Sequence, residues 1–95
     1  MRSEFRRDDK HVYRHIAGEH LLIALHRDAV APMFAFTPTA ASLWAELGEW
    51  RPVEQLVGHV LDHFEVGRAE AERDVGEFLE QLLSIGALEA REVEA

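Results

Sequence analysis

Apolar positions alternate along the first third of the chain, and beyond Thr37 they recur every three or four residues. Val12, Arg14 and Ile16 alternate with His11, Tyr13 and His15, the two-residue period of a strand. Ala17-Gly18-Glu19 reads as a tight turn in which Gly18 can take positive φ. The apolar run of residues 20–26 follows it, so a hairpin centred near Gly18 is expected. Leu21, Leu22 and Leu25 also satisfy a helical spacing. Residues 27–32 form a polar connection closed by proline, after which Met33, Phe34, Ala35 and Phe36 make a short aromatic strand. If this third strand of a meander lies at the sheet edge, its outer N–H and C=O groups are unpaired. Such an edge is a template for an incoming extended peptide.

Thr37-Pro38 signals the switch to helix, with a capping hydroxyl and a ring whose missing N–H costs nothing in a first turn. Ala40, Leu43, Trp44 and Leu47 then share one face, with Trp44 as a core anchor, and Gly48 ends the helix. Pro52 opens a second helix striped by Val53, Leu56, Val57, Val60, Leu61 and Phe64. After Gly67 a third covers residues 68–85, with Ala71, Val75, Phe78, Leu79, Leu82 and Leu83 inward and Gly86 as its cap. Residues 87–90 read as a final extended piece. The pattern predicts an α+β fold, an N-terminal three-stranded antiparallel sheet followed by three helices in a winged helix-turn-helix-like arrangement. Residues 1–10 show neither period and residues 91–95 are mostly charged. A flexible arm and a flexible tail are therefore expected around one domain of residues 11–90.

Composition narrows the classes of function. Ninety-five residues, 47% hydrophobic and 29% charged, suit one globular core, and the absence of cysteine removes disulfide and thiolate chemistry. With no signal-like segment and no apolar run near the roughly 20 residues that span a bilayer, a cytoplasmic protein without membrane contact is expected. The net charge of −8 is uneven: residues 1–45 hold six basic and five acidic side chains, residues 46–95 four and thirteen. On the third helix Arg68 and Arg73 face Glu70, Glu72, Asp74, Glu77 and Glu80. That sign opposes phosphate binding and makes a winged-helix DNA-binding or regulatory module the weaker reading, with no nucleic-acid partner expected.

Catalysis finds little support. Ser3, Ser42 and Ser84 lack a recognisable elbow or base, no glycine loop cradles phosphate, and the carboxylates lie on helix surfaces. His59 and His63, four apart, could reach one metal. His59, however, has no adjacent Glu of the metalloprotease kind, and no third ligand has a forced position. Neither an enzyme, a metal site nor a cofactor is expected.

Three segments taken together resemble the PqqD-like proteins of pyrroloquinoline quinone biosynthesis and the wider class of peptide-recognition elements in ribosomally made, modified peptide pathways. They are Phe36-Thr37-Pro38-Thr39-Ala40-Ala41-Ser42-Leu43-Trp44, then Val53-Glu54-Gln55-Leu56, then Phe64-Glu65-Val66 with Ala71-Glu72-Arg73-Asp74-Val75-Gly76-Glu77-Phe78-Leu79-Glu80-Gln81-Leu82 closing on Gly86-Ala87-Leu88. Thr37 and Pro52 stand where the family commonly has Asn and Ser or Thr, both in helix-cap regions.

The resemblance implies a non-catalytic binder on which a precursor's leader segment adds as a strand to residues 33–36, beside the third helix. The leader is then presented to a modifying enzyme, a radical S-adenosylmethionine enzyme or a leader peptidase. The peptide-binding residues it implies are Met33, Phe34, Ala35 and Phe36 on the strand and Asp74, Phe78, Gln81 and Leu82 on the helix. Asp74, Phe78, Gln81 and Ile85 follow one edge of the helix's apolar stripe, and Glu72, Gly76 and Leu83 the other. The first edge is expected as the groove wall, with Phe78 and Leu82 on its floor and Asp74 as an acceptor. Phe34 and Phe36 are expected in the core, leaving Met33, Ala35 and the free edge to the peptide. A monomer and a dimer that pairs two such edges are both compatible with the sequence.

Overall fold

The alternating run around Gly18 folds as a hairpin of β2 (His11–Ile16) and β3 (Glu19–Ala24), preceded by β1 (Arg2–Arg7). Ala17 and Gly18 take φ of 52° and 81°, the pair of positive values that a two-residue type I′ loop requires. β4 (Met33–Phe36) pairs antiparallel with β3, giving the strand order β2-β3-β4. The computed structural model describes residues 2–29 and 31–94. Met1, Val30 and Ala95, which belong to the expected arm, connection and tail, lie outside the described residues.

Three helices follow, α1 (Pro38–Glu46), α2 (Val53–His63) and α3 (Arg68–Ser84). The Thr37 hydroxyl accepts from Ala40 N at 3.1 Å, and Pro38 occupies the first turn, as the sequence predicts. Pro52 stands one position earlier than expected, at the N-cap of α2. Gly86, with φ of 75°, turns the chain out of α3. The apolar stripes converge on one core. Leu22 and Phe36 come from the sheet, Leu43, Trp44 and Leu47 from the first helical segment, Leu56, Val57 and Val60 from α2, and Ala71, Val75, Phe78, Leu79 and Leu82 from α3. Each large side chain buried there contributes roughly 1.5–3 kcal/mol relative to exposure.

The ends of the chain correct the reading of a flexible arm and tail. Arg2–Arg7 is the central strand of a second antiparallel sheet, between β5 (Arg51–Pro52) and β6 (Leu88–Val93). The extended piece expected at residues 87–90 thus continues to Val93, and the single three-stranded sheet expected is joined by another. Local periodicity missed β1 because its exposed face is stabilised by charge rather than by apolar alternation, through partners more than 80 residues away.

Arg91 donates to Glu4 Oε1 at 3.0 and 2.7 Å, Arg2 to Glu4 Oε2 at 3.1 Å, and Arg6 to Glu89 at 3.0 and 2.6 Å. The guanidinium groups of Arg6 and Arg91 lie 4.5 and 4.3 Å from the centre of the Trp50 ring. Glu4 is only 7% exposed. Hydrogen bonding to Arg91 holds its carboxyl below the ordinary value, against the opposing effect of burial. On the other face Phe5 and Leu88 join the core. Arg7 donates to the Trp44 carbonyl at 3.2 Å, near the C-terminal end of α1, where a cation is favourable.

Candidate peptide-binding groove

The hydrogen-bond parity of the β2-β3-β4 sheet determines what its edges offer. Ala24 N donates to Pro32 O at 3.0 Å. With the register Leu22↔Phe34 and His20↔Phe36, this makes Phe34 and Phe36 the residues that exchange bonds with β3. Met33 and Ala35 therefore turn their main-chain groups to the outer edge of β4, which is bare among the described residues. Their side chains lie on the outer face of the sheet, while those of Phe34 and Phe36 lie on the inner face.

Beside this edge, α1 and α3 form the walls of a groove of about 420 Å3. Its lining includes Phe34, Ala35, Thr37, Thr39, Ala40, Leu43, Asp74, Glu77, Phe78 and Gln81. The edge of α3 carrying Asp74, Phe78 and Gln81 is thus the one that lines the groove beside β4, a choice that helical spacing alone left open. Phe36 stacks obliquely between Trp44 and Phe78, with ring centroids 6.0 Å from each, and Phe34 meets Phe36 edge-on at 5.8 Å. The aromatic floor is continuous with the core.

Three placements differ from expectation. Phe34 is half-buried and lines the groove, where both phenylalanines were expected in the core. Leu82, expected on the groove floor, is 0% exposed and packs beneath it, because it lies on the apolar stripe by which α3 joins the core. Ile85, expected on the wall, is also in the core. Met33, expected opposite the phenylalanines, is 59% exposed on the outer face.

Sequence reasoning missed Glu77 and the α1 wall. Glu77 follows Asp74 by three residues and precedes Gln81 by four, so helical spacing alone places it with them. Thr39, Ala40 and Leu43 follow directly from the Thr37 cap, and their shared face is readable in the same way.

The electrostatics of the groove are acidic. Arg68 and Arg73 on α3 sit beside Glu72 and Glu70, at 3.8 and 3.9 Å, and so do not neutralise Asp74 or Glu77. Neither groove carboxylate has a salt-bridge partner among the described residues. The arrangement offers an N–H and C=O edge, an aromatic floor and two free acceptors to a ligand that is extended, partly apolar and cationic.

The histidine pair behaves differently from the metal reading weighed above. His59 and His63 stack with ring centroids 4.2 Å apart, and His59 Nε2 shares a 2.5 Å hydrogen bond with the Ser42 hydroxyl. No group of three or more potential metal ligands occurs among the described residues.

The chain is similar to TbiB1, solved in complex with the TbiA(beta) leader peptide, at 26% identity over 94% of this chain and 99% of that one, with a TM-score of 0.71. Its fold is also similar to that of a lasso peptide synthetase B1 complexed with the leader peptide, at 20% identity over 90% of this chain and 98% of that one, with a TM-score of 0.72. No curated protein matches the chain in sequence. The family model described as coenzyme PQQ synthesis protein D (PqqD) matches residues 19–88, and the chain belongs to the PqqD family.

Proposed function

We propose that this protein binds the leader segment of a precursor peptide by strand addition at β4 and presents it to a separate maturation enzyme, itself performing no chemistry. The observation that carries this reading is the bare edge at Met33 and Ala35 next to a groove whose wall is Asp74, Glu77, Phe78 and Gln81. A leader strand paired there exchanges main-chain bonds with Met33 and Ala35. Its residues opposite Phe34 and Phe36 turn their side chains toward the groove. Apolar side chains pack on Phe34 and Phe78, and a basic side chain or free N–H meets Asp74 and Glu77. The partner enzyme is a radical S-adenosylmethionine enzyme or a leader peptidase. The leader complexes of the two structural relatives support this mode of action. The acidic α3 counts against DNA as the partner, since phosphate neutralisation needs a basic face.

The Ala35→Pro variant tests the reading. Proline removes an N–H that points off the sheet, so the β3–β4 ladder survives while the docking donor is lost. Calorimetric titration with the cognate leader is expected to show binding to the folded variant about 100-fold weaker than to the parent chain. Equal affinity in both would contradict strand addition at this edge.

A further inference from the structure

The same sheet has a second bare edge. β2 is the terminal strand opposite β4 in the order β2-β3-β4. Leu25 N donates to Lys10 O at 2.7 Å. With the register Val12↔Ile23 and Arg14↔Leu21, this leaves His11, Tyr13 and His15 with main-chain groups directed away from β3. No strand among the described residues takes them up.

Beside this edge lies a separate cavity of about 350 Å3, between the inner face of β2 and α1. Ala41 and Ala45 keep the α1 wall low, Trp44 forms its base, and Arg7 and His11 contribute its polar groups. His11 is unusual. Its side chain is 1% exposed, its Nδ1 faces the Asp8 carboxylate at 3.0 Å, and its buried Nε2 has no hydrogen-bond partner among the described residues.

The two edges differ in sign. The β4 groove is lined by Asp74 and Glu77, whereas the only charged side chain lining the β2 cavity among the described residues is Arg7; Asp8 is engaged by His11, and the exposed Asp9 and Lys10 beyond the lining offset each other. A cationic leader suited to the first is mismatched to the second. We infer that β2 is a second strand-addition site, which takes an extended acidic segment of the maturation enzyme while the leader occupies β4. A carboxylate on that segment, placed opposite His11 or Tyr13, lands over Ala41 and Ala45, on the side of the sheet where Arg7 lines the cavity. The two polypeptides then flank one sheet, which brings the substrate to the enzyme without their competing for one edge. The identity of the occupant rests on the leader-binding reading; the edge and its charge do not.

The test uses two synthetic ten-residue strand-forming peptides, one alternating Val with Glu and the other Val with Lys, titrated into the full chain and followed at each backbone amide by NMR. The Val/Glu peptide is expected to shift and protect His11, Tyr13 and His15, to bind at least tenfold more tightly than the Val/Lys peptide, and to do so equally with or without saturating leader. His15→Pro deletes one outward N–H at an exposed position and is expected to weaken it about tenfold. Arg7→Gln is expected to remove the preference for the acidic peptide. Leader titration of the same variants is expected to stay within twofold at Met33 and Ala35, which separates failure of this inference from failure of leader binding at β4. Equal binding of the two peptides, perturbation confined to β4, or concentration-dependent protection of the β2 amides without peptide, which would mean a second copy on that edge, would each overturn it.

Discussion

The two sheets of this protein are built from similar parts and put to opposite uses. In the β5-β1-β6 sheet the strands come from the beginning, middle and end of the chain, and ion pairs across β1 and β6 tie the termini together. In the β2-β3-β4 sheet neighbouring strands are neighbours in sequence, and both outer strands keep an unpaired edge. One sheet holds the fold and the other presents main-chain groups. Stability and recognition should accordingly respond to different substitutions.

The largest effect is expected in the first sheet. Phe5→Ala removes a buried aromatic side chain and should cost about 3 kcal/mol, read by denaturant unfolding, while the folded fraction binds leader with unchanged affinity. Ala35→Pro should do the reverse, lowering leader affinity about 100-fold, or about 2.7 kcal/mol, with cooperative unfolding retained. If either substitution moved both quantities together, the division between the sheets would be lost.

That division was only half legible in the sequence. The hairpin, β4 and all three helices could be read because each is specified locally, by the Gly18 turn, the Thr37 cap and helical stripes such as Val75, Phe78, Leu79 and Leu82. β1 could not, since Arg2, Glu4 and Arg6 look like a solvated charge cluster until Arg91 and Glu89 are placed opposite them. On the α3 side of the groove, helical spacing put Asp74, Phe78 and Gln81 on one edge but did not fix which edge borders β4, since that depends on how the helix docks on the sheet. Which of Phe34 and Phe36 is sealed depends on how closely Trp44 and Phe78 approach Phe36, a tertiary fact that alternation does not contain.

Smaller effects sharpen the contrast. Asp74→Asn with Glu77→Gln should weaken binding of a basic leader about threefold to tenfold and flatten its dependence on salt, which titration at two ionic strengths measures. The stability curve should be nearly unchanged. Glu4→Gln addresses the other sheet. A carboxyl held below its ordinary value contributes stability that is fully present above the unfolded-state pKa and lost as pH falls through the folded one. The parent chain should therefore lose more stability on acidification through that window than Glu4→Gln, which should be less stable near neutral pH and flatter below it. Thermal unfolding across a pH series reads both.

Amide hydrogen exchange along β4, with and without the cognate leader, tests strand addition most directly. Phe34 and Phe36 already bond to β3, so leader binding should newly protect Met33 and Ala35, the two residues whose N–H groups face the bare edge. Tight leader binding that leaves Met33 and Ala35 exchanging at their free rates would contradict the account.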